Sequence, residues 1–334
     1  MKIRCLALVI MALLICGCDK ETFENEPHFK RIFGLDTVST VTIYDSISDE
    51  KADKILEECS GLIKDYENIF SKTIESSDVS KINKHIDFNV NKDSAYVINK
   101  AINYSKITDG AFDISIAPLT ELWHIKPGTV FIPDKKEIEI TKKYVDYKKI
   151  KVDNLKIKLP KNSKIDLGGI AKGYIGDKIK EYLISKNIKS AIINLGGNIL
   201  TIGNKPGVGY FNVGLNKPFK ENEFILTFKT KRDVSIVTSG NGYRYFKYKN
   251  KIYHHILDPK TGYNPDNNLL STTIISKNSI DGDAYSTATY VLGLKKGMDF
   301  IEKHKELEAV FIDDNYKIHL SSGLKIKDDV IILK

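Results

Sequence analysis

From Ser48 to Phe70, the apolar residues Ala52, Ile55, Leu56, Cys59, Leu62, Ile63, Tyr66, Ile69 and Phe70 recur at steps of three and four. That spacing predicts one long amphipathic helix, with Ser48 placed to cap its first turn. A helix with a single apolar stripe is stable only where another layer covers the stripe. The preceding run VSTVTIY, within residues 31–44, is β-branched and alternating, which predicts a strand. Helical spacing returns over 94–108, where Gly110 is placed to end the helix, and over 169–186, with Tyr174, Ile175, Ile179, Tyr182 and Leu183 inward. Between them, residues 126–160 carry short runs (VFI, IEI, IKL) separated by Lys, Asp and Pro, as hairpins do, and a further strand is expected to end at Leu167. SAIINL, GYFNVGL, FILTF, VSIVTS, the stretch around RYFKYKNKIYHHI and STTIIS read as strands. Helices over 281–292 and 295–304 and two short strands complete the chain. Helices and strands interleave without a regular βαβ beat, so the class expected is α+β, a single compact mixed α/β catalytic domain over 31–334.

The first residues read differently. Lys2 and Arg4 precede an apolar run from Leu6 to Ile15 that is too short to span a bilayer, which predicts a signal peptide over 1–17. Leu14-Ile15-Cys16-Gly17-Cys18 has the form of a bacterial lipobox, with Cys18 the residue to be lipidated. Residues 18–30 are polar and read as a tether. Cleavage leaves Cys18 and Cys59 and therefore no disulfide framework; Cys59 falls on the apolar side of the first helix. The protein is thus expected to be exported and lipid-anchored to the bacterial membrane, on its periplasmic or extracellular face. Net charge is +8, carried by lysines read as evenly spread. They suit solvation and anionic ligands, and no block is dense enough to track nucleic acid. With 42% apolar and 28% charged residues, the chain is neither disordered nor repetitive.

The stretch IDLGGIAKGY, 165–174, packs three glycines, an aspartate and a lysine into ten residues. Gly168 and Gly173 have the spacing of a phosphate loop, but Tyr174-Ile175 stand where that loop needs Lys and Ser or Thr. What remains is a glycine-rich turn into a helix whose free N–H groups favour an anion, with Lys172 to add charge and a bare carbonyl to offer a metal. Asp283 and Thr287 lie four apart on a predicted helix, hence on one face. A carboxylate, a hydroxyl and a carbonyl make an oxygen-only set suited to Mg²⁺. His254 and His255 precede an Asp-Pro-x-Thr-Gly turn at 258–262.

Seven stretches, in order, resemble one family, the ApbE-type FAD:protein FMN transferases: FSKTIESSDVSKIN, GAFDISIAPLTELW, IDLGGIAKGYIGDKI, INLGGNILTIG, VTSGNGYRYF, HHILDPKTGYNP and GDAYSTATYVLG. The resemblance implies Mg²⁺-dependent transfer of FMN from FAD to a threonine hydroxyl of an acceptor protein, typically a membrane redox subunit, with AMP released. It implies flavin contacts from Ala111, Phe112, Asp113, Asp166, Lys172 and the backbone at Ile256, and a metal held by the Gly169 carbonyl with Asp283 and Thr287. His255 falls on the family's histidine before the Asp-Pro turn and is the first choice for catalytic base, with Asp258 and Asp113 the alternatives. Two flavin-lining positions depart from the commonest pattern: Leu35-Asp36-Thr37 in place of Met-Gly-Thr, and Thr73 in place of a tyrosine. The same site with water as nucleophile would be an FAD pyrophosphatase giving FMN and AMP. A flavin-binding lipoprotein without chemistry is the third reading, against which the Asp283/Thr287 pair speaks.

Overall fold

The computed structural model describes residues 26–126, 128–220, 223–242, 244–249 and 251–334. The leader, Cys18 and most of the tether lie outside the described residues. The chain opens with β1 (His28–Gly34) and β2 (Thr37–Ile43), then α1 (Asp49–Phe70), α2 (Asp78–Asn83), α3 (Lys92–Ile107), α4 (Ala117–Trp123) and α5 (Lys135–Thr141). After β3 (Lys151–Asp153) and β4 (Lys156–Lys158) come α6 (Ala171–Ser185), β5 (Ala191–Leu195), β6 (Asn198–Ile202), β7 (Phe211–Asn216), β8 (Phe224–Thr230), β9 (Ser235–Gly240), β10 (Tyr245–Tyr248) and β11 (Lys251–His254). The remainder is β12 (Leu269–Ser276), α7 (Ser279–Lys303), β13 (Glu308–Asp313), β14 (Ile318–Leu320), β15 (Leu324–Lys327) and β16 (Val330–Leu333).

Eight strands form one sheet in the order β1-β2-β5-β6-β9-β12-β13-β14, each paired antiparallel to its neighbours. Alternation divides its side chains between two layers. Val41, Ile193, Leu200, Ile274 and Phe311 point to the face covered by α1, α6 and α7 and join the main core, where Cys59 is fully buried. Burial pushes the Cys59 thiol up to about 12, so it is packing and not a nucleophile. Ile199, Ile236, Ile275 and Val310 point to the other face, beneath the sheet β15-β16-β8-β7. Both layers bury β12, all eight of whose residues are inaccessible.

The α+β expectation is met. The first helix begins where Ser48 accepts the Lys51 N–H, and α7 is broken at Gly293 (φ 77°, ψ 175°), which makes it the two helical stretches expected. Four expectations are corrected. Among the described residues of 126–160 the only hairpin is β3–β4; the IEI run lies in α5, because Asp134 and Glu137 form a capping box that nucleates a helix there, and VFI is in neither helix nor strand. No strand ends at Leu167; residues 164–168 belong to no ladder. Four strands, not two, follow α7. The folded unit also starts earlier than residue 31, since His28 already pairs with Ile43.

Candidate functional site

Two turns and two helix faces build the site. At the first turn, Asp113 is extended (φ −148°, ψ 115°) and caps a single helical turn. Its Oδ1 accepts the Ser115 N–H at 2.8 Å and hydroxyl at 2.6 Å, and its Oδ2 accepts the Tyr147 N–H at 3.1 Å. Burial raises its pKa above the ordinary carboxylate value against these donors. Both oxygens are therefore engaged in organising the turn that carries Ala111 and Phe112, both buried.

The Asp166 segment is held without a ladder. The Ile114 carbonyl accepts the Asp166 N–H at 2.8 Å, and Asn83 brackets Ile165 through its N–H (2.7 Å) and carbonyl (2.9 Å). The Asp166 carboxylate then accepts the Gly168 N–H at 2.9 Å and pairs with Lys72 at 2.5 Å. Lys72 lies just beyond the end of α1, next to the exposed Thr73, whose hydroxyl is 2.9 Å from that of Ser71. Lys172, in the first turn of α6, folds back to donate to the Gly168 carbonyl at 3.3 Å.

The glycines of this stretch serve packing as much as ligand approach. A Cβ on Gly173 would lie 2.3 Å from the Ser279 carbonyl oxygen and 2.8 Å from the Asp283 Cβ, so α6 and α7 cross in backbone contact. At that crossing the Gly173 N–H donates to Asp283 Oδ2 at 2.9 Å. A Cβ on Gly169 would lie 3.2 Å from the Phe112 ring and 3.6 Å from Thr287 Oγ1. Gly169, Phe112 and the Asp283/Thr287 pair, assigned from three separate stretches, are thus adjacent. Asp283 is only 4% exposed and takes one protein hydrogen bond among the described residues. The second carboxylate oxygen takes no donor among the described residues and is open to a ligand. The Thr287 hydroxyl is one helical turn away, also within 3.2 Å of Ser239 Oγ. This oxygen set fits a hard divalent cation such as Mg²⁺.

His255 is the candidate base. Burial, and then the Arg244 and Lys172 charges, lower its pKa to about 4, while Asp166 acts in the opposite direction. The ring is therefore neutral at pH 7. Its Nδ1 lies 3.3 Å from the Arg244 carbonyl; in the tautomer that donates there, Nε2 carries the free lone pair. His254 is buried against Tyr290 and lowered to about 3 by the same cause, which makes it a core residue. Asp258 Oδ1 accepts the Lys260 N–H at 2.8 Å and shapes the turn. The Ile256 carbonyl is occupied by the Asn264 amide at 2.7 Å. Leu35 sits with Asp36 in a two-residue hairpin loop, both at positive φ (57° and 55°), and its N–H is held by Glu67 at 2.7 Å. That places the loop at the same end of α1 as Lys72.

The structure adds three residues to those expected: Lys72, Arg244 and Ser239. All lie inside the stretches quoted above, but only the folded chain shows Lys72 and Arg244 converging on Asp166 and His255. Three cations (Lys72, Lys172, Arg244) then gather around Asp166 and the neutral imidazole. The cluster suits an anionic ligand such as a diphosphate ester.

Known proteins resemble this chain along most of its length. The profile of the ApbE family matches residues 35–311. An FAD:protein FMN transferase of Klebsiella pneumoniae (strain 342) is 34% identical over 273 residues, covering 80% of this chain and 84% of that protein. One of Treponema pallidum (strain Nichols) is 26% identical over 309 residues, covering 87% and 85%. Among solved structures, the ApbE protein of Thermotoga maritima superposes with a TM-score of 0.81 at 30% identity, over 89% of this chain and 97% of that one. The flavin transferase ApbE of Vibrio cholerae shares the fold, with a TM-score of 0.76 at 24% identity, over 89% and 98%.

Proposed function

The chain belongs to the ApbE family, and on that premise we propose that it transfers FMN from FAD to a threonine hydroxyl of an acceptor protein, releasing AMP. The observation that carries the reading is the meeting of Gly169, Thr287 and Asp283 beside the lysine-paired Asp166 and the neutral His255. In the transfer, the threonine oxygen bonds to the FMN-side phosphorus. The bond from that phosphorus to the bridging oxygen breaks, and the electron pair leaves with AMP.

Such reactions depend on alignment and charge neutralisation more than on covalent help from the protein. Lys72, Lys172 and Arg244 hold the two phosphates and offset their charge. The ordered turn at Ala111-Phe112-Asp113 walls the flavin side. His255, neutral and oriented through Nδ1, accepts the threonine proton at Nε2 as the new bond forms. The Gly169 carbonyl, Thr287 hydroxyl and Asp283 carboxylate would hold Mg²⁺, which supplies Lewis-acid stabilisation of charge on the diphosphate.

We further read the protein as exported and anchored to the membrane through lipid on Cys18, with a membrane redox subunit as acceptor. The basic start, short apolar run and lipobox support the anchor. Release of AMP from FAD, followed with Mg²⁺ and then with EDTA, tests the metal assignment. Activity should vanish in EDTA and return with excess Mg²⁺; an undiminished rate in EDTA would contradict it.

A further inference from the structure

We propose that the lysine-rich flank over residues 134–164 docks an acidic segment of the acceptor protein. The inference rests on the transferase reading and adds the chemistry by which the acceptor is recognised. The lysines read as evenly spread, but a count by segment corrects this. Residues 134–164 hold eleven lysines against five carboxylates, a net +6 out of the chain's +8. They run through α5, the β3–β4 hairpin and the turns between. Four of these lysines pair with carboxylates. The other seven, among them Lys135, Lys136, Lys143, Lys148 and Lys151, are exposed and pair with no described carboxylate.

The flank reaches the site directly. A groove of about 340 Å³ runs between the Asp113 turn and the Asp258 turn, lined by Lys142, Tyr147, Lys148, Pro259 and Lys260. Its own carboxylates are already engaged: Asp109 by Lys260, Asp146 by Lys149, and Asp113 by Ser115 and Tyr147. At the other end of α5, Val130, Phe131 and Ile132 are 56%, 44% and 37% exposed. A peptide bringing a hydroxyl to the site along this flank would meet an apolar grip and then unpaired positive charge.

Anionic lipid has the same charge, but the fold favours the acceptor. The tether enters at His28, whose ring lies against the Ile47 carbonyl and Asp49 at the start of α1. The site lies past the other end of that helix, at Lys72 and Asp166. Twenty-two residues span about 33 Å at 1.5 Å each. An anchor at Cys18 would join the fold at the end away from the site.

The test uses residues 19–334 and two fluorescein-labelled threonine peptides, one with four aspartates beside the threonine and one with asparagines in their place. Binding is read by anisotropy, and FMN transfer by mass in the same samples. The acidic peptide should bind at least about tenfold tighter at low salt, and 0.5 M NaCl should remove the difference by screening. Replacing Lys135, Lys136, Lys143, Lys148 and Lys151 by Gln should remove it too, with the KM for FAD unchanged. Equal binding of the two peptides overturns the proposal. Loss of binding to phosphatidylserine vesicles in the Gln variant, with no change for the acidic peptide, also overturns it, in favour of a membrane surface. Selective peptide binding without any FMN adduct would strike at the transferase reading and leave the docking surface standing.

Discussion

Replacing Gly173 by Ala should damage stability and activity together, through one contact. The added Cβ would sit 2.3 Å from the Ser279 carbonyl oxygen and 2.7 Å from its carbon. Both are backbone atoms, so no side-chain rotation relieves the overlap, and α6 must move away from α7. Overpacking of this kind costs about 1–3 kcal/mol. Separation also stretches the Gly173 N–H bond to the Asp283 carboxylate, and a bond to a charged acceptor is worth about 1.5–3 kcal/mol. Against these stands the helix preference for Ala over Gly, roughly 0.5–1 kcal/mol. The clash wins, with a net loss of about 2–4 kcal/mol. For a chain of this size that lowers Tm by roughly 3–6 °C. Gly61 is the control, since it lies within α1 with no atom inside 4 Å of an added Cβ. Gly61→Ala should raise stability by about 1 kcal/mol. The assay is a pair of thermal melts followed by circular dichroism, with AMP release measured over a range of Mg²⁺. Gly173→Ala should also need more Mg²⁺, because Asp283 is displaced. If Gly173→Ala melts with Gly61→Ala and keeps wild-type Mg²⁺ dependence, the account of the α6–α7 crossing is wrong.

Other substitutions probe the remaining parts. His255→Ala should leave FAD bound while slowing FMN transfer at least about tenfold, measured by single-turnover mass spectrometry. Lys72→Met removes one of three cations facing the diphosphate and frees Asp166; the KM for FAD should rise by about tenfold, and Lys72→Arg should restore most of it. Acid should destabilise the fold through the histidines. His254 and His255 have folded pKa values of about 3 and 4, below the ordinary 6.5. The unfolded chain therefore binds protons first, so their stabilisation is complete above pH 6.5 and is lost as pH falls towards 4 and 3. For the buried His254 the loss between pH 7 and pH 4.5 is on the order of 3 kcal/mol. Urea midpoints at the two pH values measure it, and His254→Phe should flatten the dependence.

The elements that sequence periodicity revealed are those whose burial is one-sided. α1 shows nine apolar positions on one stripe because its outer face meets water, and β2 alternates because Val41 and Ile43 face the core while Thr40 and Thr42 face the more open side of the sheet. The 126–160 segment misled for a local reason: Ile138 and Ile140 alternate as in a strand, yet the Asp134–Glu137 capping box, encoded outside the apolar pattern, makes the segment helical. The site was legible where a motif carries several constrained residues at once. Gly169, Asp283 and Thr287 were each named from short stretches, and the fold brings them together. Gly173 looked like part of a phosphate cradle, but its spacing serves a helix crossing that no linear pattern announces. Lys72 and Arg244 acquire meaning only from Asp166 and His255, which lie 94 and 11 residues away in sequence. The charge of the 134–164 flank is present in the sequence, but only the fold shows which of its lysines are exposed and unpaired and that Lys142 and Lys148 line a groove with the Asp113 turn.

The central claim is that this chain moves FMN from FAD onto protein. Its most direct test incubates residues 19–334 with FAD, Mg²⁺ and a threonine-containing acceptor and records the intact mass of the acceptor. The account predicts a covalent FMN adduct, with AMP released in equal amount, that is absent without Mg²⁺ and absent in Asp283→Ala. AMP and free FMN in quantity with no adduct on any acceptor tried, or FAD recovered whole, would contradict it.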